Sequence, residues 1–388
     1  MTPLPVFFWR AALAGAVLLL GLPAQAAISD CEVNGQPVNP SNGNTTAGKT
    51  GMMRCKDRDT GAPSREQELR DGKFIGLERF YQNGKLARER SVNANGNSQG
   101  RARDFAPDGT VLSDANYENG DVVGLSRNFH PNGQLRRAAI GGRSSEEKAS
   151  AEFTPRGQLR DLRCGSQPLL APAVDDATLC GFKQLSRLEF FNDSGQVRER
   201  ASFEAGKRVR FEVLGDNGVV LQQQEVNGNA RIDRSFSREG VKRREVLWDV
   251  NGKVAYMVRE QEFSTTGTLT RERKFSQGEL TSEETFYLNG QPRSRDVYST
   301  EGNLRSREST GFYDSGKASH SGRYRVPGRG VQLAVGTHKN FDANGRTVSE
   351  TVYDDQGRVT RERAWDEAGT LLRDDAVFED GSRKAFAK

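Results

Sequence analysis

The chain has 388 residues, with 57 Lys and Arg against 52 Asp and Glu and a formal net charge of +5. The two signs are interleaved along the sequence, which argues against the basic surface of a nucleic-acid-binding protein. Hydrophobic residues make up 34% of the chain and charged residues 28%, too polar a composition for one deep core in a compact domain of this size. We therefore expect a shallow core that is distributed along the chain.

Residues 1–26 have the features of a secretory signal peptide. Arg10 precedes the apolar stretch 11–22, and Ala24, Gln25 and Ala26 form an A-x-A cleavage signal. The apolar stretch is too short to span a bilayer permanently. The sequence therefore predicts export to the periplasm without stable membrane insertion.

Four cysteines in an exported chain predict two disulfides, for which three connectivities are possible. We favour the local pairing, Cys31 with Cys55 and Cys164 with Cys180, because both pairs lie where the repeats described below are interrupted. The first bridge would close residues 27–64 into an N-terminal cap. A metal site is disfavoured because no C-x-x-C pair is present and the chain has only three histidines.

From residue 65 to residue 388 an aromatic-x-x-x-Gly motif recurs. Aromatic steps of 12 residues link Phe105, Tyr117 and Phe129, and steps of 24 residues link Phe105, Phe129 and Phe153. Twelve residues suit one strand plus one tight turn, and Gly permits the positive φ that primed hairpin turns require. The predicted fold is all-β: an elongated, twisted and curved array of antiparallel β-hairpins with 12-residue strand-turn units and 24-residue modules.

Arginines follow several of these glycines at alternating positions. Arg271 and Arg273 come after Leu269, and Arg361 and Arg363 come after Val359. Period two places each pair on one face of a strand. Two interpretations remain open: the arginines pair with cross-strand glutamates on a solvated sheet, or they form an arginine and aromatic stripe that binds an acidic partner.

The repeat is interrupted near residues 158–185 and again near 317–338. Insertions in repeat proteins often form loops on the binding face, and the second interruption contains Tyr324, Arg325 and Arg329. We therefore expect a protein partner to contact these residues or the arginine stripe. The predicted partner-binding residues are Arg271, Arg273, Arg361, Arg363, Tyr324, Arg325 and Arg329.

Catalytic motifs are not evident in the sequence. His130, His320 and His338 are scattered, and the chain contains neither a G-x-S-x-G nor an H-E-x-x-H motif. Repeats occupy nearly all residues from 65 onward, which leaves no separate domain for an active site. The sequence predicts a protein that is not an enzyme, with no cofactor and no catalytic or metal-binding residues.

Modules such as GLERFYQNGKLARER (residues 76–90) and EETFYLNGQPRSRD (residues 283–296) resemble the MORN-variant repeat of bacterial antitoxin-like proteins. The resemblance implies consecutive antiparallel hairpins whose activity is binding. Exported members resemble immunity proteins that neutralise type VI secretion effectors, including phospholipase D-type lipases. The expected function is a periplasmic immunity protein that blocks a toxic effector. The alternative is a non-enzymatic envelope adaptor or lipid-headgroup-binding scaffold, and whether the chain acts as a monomer or a dimer is open.

Overall fold

The computed structural model describes residues 29–141, 147–302, 304–328 and 331–386. The predicted signal peptide (residues 1–26) and Arg329 lie outside these ranges. The described elements are almost entirely strands, in two antiparallel sheets of 12 and 17 strands, which confirms the all-β hairpin fold. The chain divides into two compact units, Met1–Val122 and Val123–Lys388, and each is described by itself.

In the first unit each strand from β3 onward pairs with its successor, while β1 lies between β2 and β3. One helix, α1 (Gly43–Thr46), lies between β2 and β3. The strands of this unit are β1 (Ser29–Val33), β2 (Gln36–Val38), β3 (Gly51–Asp57), β4 (Pro63–Arg70), β5 (Lys73–Gln82), β6 (Lys85–Val92), β7 (Gly100–Phe105) and β8 (Val111–Glu118).

The second unit continues the same plan, in which neighbours in sequence are neighbours in the sheet. Its first strands are β9 (Asp121–Phe129), β10 (Leu135–Gly141), β11 (Ala149–Phe153) and β12 (Leu159–Arg163). Helix α2 (Asp176–Leu179) follows β12. The 17-stranded sheet then comprises β13 (Leu188–Phe191), β14 (Val197–Glu204), β15 (Lys207–Leu214), β16 (Val220–Asn227), β17 (Ala230–Phe236), β18 (Lys242–Asp249), β19 (Tyr256–Phe263), β20 (Leu269–Ser276), β21 (Glu279–Phe286), β22 (Pro292–Glu301), β23 (Leu304–Phe312), β24 (Ala318–Gly328), β25 (Val331–Phe341), β26 (Thr347–Tyr353), β27 (Val359–Trp365), β28 (Leu371–Val377) and β29 (Arg383–Ala385).

The glycine motifs form turns of two kinds. In the longer motif that begins at Phe105, the Ala106 N–H donates to the Thr110 carbonyl at 2.8 Å, and only Gly109 has positive φ, at 90°. This is a type I turn followed by a bulge, and the register shifts at Phe105. The shorter motif that ends in Gln277 and Gly278 has positive φ at both residues, as a primed turn requires. The predicted primed turn is therefore present at Gln277–Gly278. It is absent from the motif that begins at Phe105, because the extra residue there is accommodated as a bulge.

Both predicted disulfides are formed, Cys31 with Cys55 and Cys164 with Cys180. Two disulfides place the protein in an oxidising, exported compartment. Each bridge lies in one of two small hydrophobic clusters, so the core is distributed as expected. The short helix α1 lies in the N-terminal cap, close to the first of these clusters.

The first insertion, residues 164–187, is packed rather than a bulging loop. Leu170 is fully buried and belongs to one cluster with Val174, Phe190 and Phe203, so the insertion covers one face of β13 and β14. The Asp176 carboxylate accepts the N–H groups of Leu169 and Leu170 at 2.6 and 2.9 Å, which orders the segment before α2. We call residues 164–187 the plug.

The second interruption is also regular structure. Strands β24 and β25 have 11 residues each and pair up to Gly328 and Val331, so the extra residues lengthen a hairpin. The expected loop is instead a longer hairpin, because two register shifts accommodate the additional residues within the ladder.

A row of alternating charges crosses the first unit. Its members, each directly opposite the next on the neighbouring strand, are Glu32, Arg54, Glu66, Arg79, Glu89, Arg103 and Asp114. Within the row, Arg103 and Arg79 lie 2.7 and 2.8 Å from the Glu89 carboxylate. Hydrogen bonds from Arg103 and then Arg79 lower the pKa of Glu89 below its ordinary value of 4.5.

This lowered pKa predicts acid sensitivity. A carboxylate with a depressed folded-state pKa stabilises the fold above its unfolded pKa, and that contribution is lost as the pH falls through the folded-state pKa. We expect the free energy of unfolding to decrease as the pH is lowered below 4.5, and Glu89→Gln to make this decrease shallower. Urea denaturation over a pH series measures the effect. The control is Asp59→Asn in an exposed turn, and equal slopes for the two variants would contradict the prediction.

Candidate binding surface

The two faces of the 17-stranded sheet can be distinguished by its register, because directly opposite residues share a face. One continuous row runs through Arg271, Thr285, Ser294, Gly311, His320, Asn340, Ser349 and Ala364. Arg271, Arg273 and Tyr324 lie on the face of this row. We call it the tyrosine face, and the opposite face the ladder face.

Arg361 and Arg363 lie on the ladder face, because Arg363 is the neighbour of Ala364 in a period-two strand. The four arginines therefore do not form one stripe, because the two pairs lie on different faces. The reason is geometric: the turn with Gly267 lies at one end of the strands, and the turn with Gly357 lies at the opposite end. A strand that starts at one end of the sheet is related to a strand that starts at the other end by a two-fold rotation. The axis lies in the plane of the sheet and perpendicular to the strands, so the rotation also exchanges the two faces.

The arginines on the tyrosine face are already paired within the sheet. Arg273 and Arg244 both contact Glu260, whose side chain is only 4% exposed, and the Arg244 contact is 2.6 Å. Arg271 contacts Glu262 and lies 3.9 Å from Glu283. Desolvation by burial acts to lower the pKa of Arg271, but the hydrogen bond to Glu262 and the negative charges of Glu262, Glu283 and Glu260 together outweigh it, so the pKa is raised.

The arginines on the ladder face are paired in the same way. Arg361 donates to both carboxylate oxygens of Asp374 at 2.7 and 2.8 Å, and Arg363 contacts Glu350 at 2.8 Å. The hydrogen bond to Asp374 raises the pKa of Arg361. Cross-strand pairing, the first of the two interpretations, thus accounts for all four arginines.

The ladder face carries an uninterrupted polar row across 16 strands. Its members are Glu189, Arg200, Glu212, Gln223, Arg234, Glu245, Gln261, Glu272, Glu284, Arg295, Thr310, Ser321, Lys339, Glu350, Arg363 and Asp374. Several members are ion-paired across strands, and Glu212 and Glu245 are buried at 9% exposure, so charge pairing rather than apolar packing stabilises this face.

Tyr324 belongs to a different kind of arrangement on the tyrosine face. The Arg307 guanidinium lies 4.5 Å from the centre of the Tyr324 ring. The rings of Tyr324 and His338 meet edge to face at 4.9 Å, and those of His338 and Tyr353 at 4.8 Å. Tyr298, directly opposite Arg307, completes the set. We call Tyr298, Arg307, Tyr324, His338 and Tyr353 the aromatic strip.

Glycines within the strands provide space for the ring of His338, which belongs to the strip, and for the ring of His320, which does not. A Cβ atom at Gly322 would lie 2.4 Å from the His338 ring, and one at Gly311 would lie 2.0 Å from the His320 ring. The His338 Nε2–H donates to the Arg323 carbonyl at 2.8 Å, which fixes the ring over Gly322. Glycines away from any turn were a sequence signal for this site that the repeat pattern obscured.

The other predicted contact residues of this hairpin are not part of the strip. Arg325 lies on the ladder face, where it contacts the Asp355 carboxylate at 3.1 Å and donates to the Asp355 carbonyl at 2.9 Å. It ties β24 to the turn between β26 and β27. Arg329 lies outside the described residues.

Among the described residues, no cluster of three or more His, Cys, Asp or Glu side chains is arranged to hold a metal ion. Within the same ranges, no helix is long and apolar enough to cross a membrane.

Neither the models of known protein families nor the curated proteins give a match to this chain. Among solved structures, the crystal structure of TarM matches 26% of this chain and 19% of its own, at 19% identity and a TM-score of 0.19. The TcdB2-TccC3-Cdc42 complex matches 86% of this chain and 22% of its own, at 8% identity and a TM-score of 0.18. TcdB2-TccC3 matches 88% and 22%, at 10% identity and a TM-score of 0.17. The chain thus spans about a fifth of the length of these structures, and similarities this low carry no argument about its function.

Proposed function

We propose that this protein is a periplasmic immunity protein that binds and blocks a toxic secreted effector, and that the aromatic strip is its contact surface. The observation that carries the proposal is the composition of the strip. Tyrosine and arginine are enriched in binding hot spots, and tyrosine buries a large area at little cost in conformational entropy. The strip places three tyrosines, one arginine and one histidine on five adjacent strands of one face.

The strip is held in place before any partner binds. His338 is fixed by its hydrogen bond to the Arg323 carbonyl, and it contacts Tyr324 and Tyr353 on either side. Side chains that are already ordered lose less entropy on association, which favours affinity. An inhibitory contact of standard size buries roughly 1,600 Å² in total. We expect an interface of that scale to extend from the strip onto the strands beside it.

The two disulfides support the location, since an effector delivered into the periplasm meets its inhibitor in an oxidising compartment. The resemblance to MORN-variant repeats supports the partner class, with a phospholipase D-type lipase as the proposed effector. No step of the proposal requires the paired arginines Arg271, Arg273, Arg361 and Arg363 to leave their carboxylates.

Tyr324→Ala is the decisive substitution at this surface. The variant loses the ring that contacts both Arg307 and His338, and we expect it to weaken effector binding by about 2 kcal/mol, roughly 30-fold. The control is Tyr256→Ala, a tyrosine that is 44% exposed and lies on the ladder face. Calorimetry with the mature protein and its effector measures the difference, and circular dichroism checks that both variants are folded.

The effector itself is identified by copurification from periplasmic extract. A strain without the gene should be killed by sister cells that fire their secretion system, and the wild-type gene should restore survival. Unchanged survival, together with no enzyme captured by the mature protein, would overturn the immunity proposal. Capture of lipid or of a structural envelope component instead would identify the adaptor function.

A further inference from the structure

A second candidate site lies on the ladder face at the start of the 17-stranded sheet, on the strands whose other face packs against the plug. A cavity of about 440 Å³ opens there. Its charged and polar lining comprises Arg187, Glu189, Arg200, Ser202, Arg210 and Glu212. Three guanidinium groups against two carboxylates leave the cavity with one net positive charge.

The carboxylates in this cavity are engaged by only two of the three arginines. Glu189 lies 3.1 Å from Arg200, and Glu212 lies 2.7 Å from Arg210 and also accepts from Gln223 at 3.1 Å. Arg187 forms no hydrogen bond or ion pair with any residue that the structure describes. The excess positive charge therefore belongs to Arg187.

The register aligns Arg187 with two further donors. Ser202 is directly opposite Arg210, and Leu188 is opposite Ala201, so Arg187 comes alongside Ser202 from the other side. In the register Ser202 thus lies between Arg187 and Arg210 on one face of the sheet. Guanidinium and hydroxyl groups at neighbouring positions in one cavity can together donate to the tetrahedral oxygens of a phosphoryl group.

The backbone that carries Arg187 is held rigidly. The N–H of Ser186 donates to the Phe203 carbonyl at 3.0 Å, and the Phe203 N–H donates to the Ser186 hydroxyl at 3.1 Å. The Phe203 side chain in turn is buried in the same cluster as Cys180 and Leu170 of the plug. A binding group on a rigid support keeps its geometry, which is what a preformed anion site requires.

We propose that Arg187, Ser202 and Arg210 form a phosphoryl-binding site, separate from the aromatic strip and independent of the effector proposal. The ligand is the phosphoryl group of a soluble phosphate ester or of a lipid headgroup. Arg210 keeps Glu212 while it offers its remaining N–H groups, and Arg187 supplies the unpaired charge.

The test uses inorganic phosphate as the probe and the mature chain as the protein. We expect saturable binding in calorimetry, weakened about tenfold in Arg187→Ala and in Ser202→Ala, since each removes a hydrogen bond to a charged group. The matched control is Arg238→Ala, an exposed arginine in the turn between β17 and β18, which should bind phosphate like the wild type. Absence of saturable binding, or equal affinity in Arg187→Ala, overturns the proposal.

Vesicles distinguish the two sources of the phosphoryl group. Sedimentation with phosphatidylglycerol vesicles that phosphate competes away and Arg187→Ala abolishes assigns a lipid headgroup. Phosphate binding without sedimentation assigns a soluble ester. Vesicle binding that Arg187→Ala leaves unchanged counts against the site.

Discussion

The double substitution Arg244→Ala and Arg273→Ala is expected to lower the free energy of unfolding by about 3 kcal/mol. The Glu260 side chain is 4% exposed and both arginines contact its carboxylate, so their removal leaves a buried charge without a partner. Urea denaturation followed by circular dichroism measures the loss. Arg273 is therefore primarily a structural residue in this sheet, and binding data on its variants need this stability control.

The matched control is Arg200→Ala with Arg295→Ala, which breaks two ion pairs whose carboxylates, on Glu189 and Glu284, are more exposed than Glu260, and should cost about 1 kcal/mol in total. Adding Glu260→Leu to the first double variant should restore most of the stability, because it removes the stranded charge beside buried Val246. A loss no larger than that of the control, or no recovery with Glu260→Leu, would show that Glu260 does not depend on these arginines.

Removing the second disulfide with Cys164→Ser and Cys180→Ser is expected to cost about 3 kcal/mol. The bridge closes a sequence separation of 16 residues, and Cys180 is 1% exposed in the cluster that holds Leu170, Phe190 and Phe203. Because neighbouring hairpins stabilise one another in a repeat array, unfolding should begin at the plug. Limited proteolysis should therefore cut residues 164–187 first, and the denaturation midpoint should fall.

Wild-type protein in reducing agent should reproduce this proteolysis pattern, whereas Cys31→Ser with Cys55→Ser should leave the plug protected under oxidising conditions. A plug that resists protease in the variant and in reducing agent would mean that packing alone holds it. The phosphate site gives a second measure, because Ser186 and Arg187 are the last residues of the plug and should lose their fixed position with it.

The sequence predicted the hairpin fold because each short element carries its own local signals. Gly109 and Gly278 mark turns, because glycine adopts positive φ more readily than other residues do. The aromatic residues before them mark strands. The pairing of Cys31 with Cys55 followed from the interruption of the repeat. The plug was mistaken for a loop because the burial of Leu170 depends on β13 and β14, which the local sequence does not describe.

The candidate site was only partly predictable. Tyr324 was identified from the interruption, but Arg307, His338 and Tyr353 join it from three other strands. Contacts between residues on separate strands depend on the register, and here the register depends on every bulge and turn that precedes them. Gly322 was the available signal, since a glycine inside a strand indicates close approach by another group.

By itself the sequence determined the local rules: a period-two alternation of side chains, a turn at each Gly motif, and two pairs of cysteines available for oxidation. Only the tertiary structure decided that Arg271 and Arg361 lie on opposite faces and that each is already paired. Alternation within a strand specifies which residues share a face. It does not specify at which end of the sheet the strand starts. In an antiparallel sheet the strand direction decides on which face a side chain at a given motif position lies.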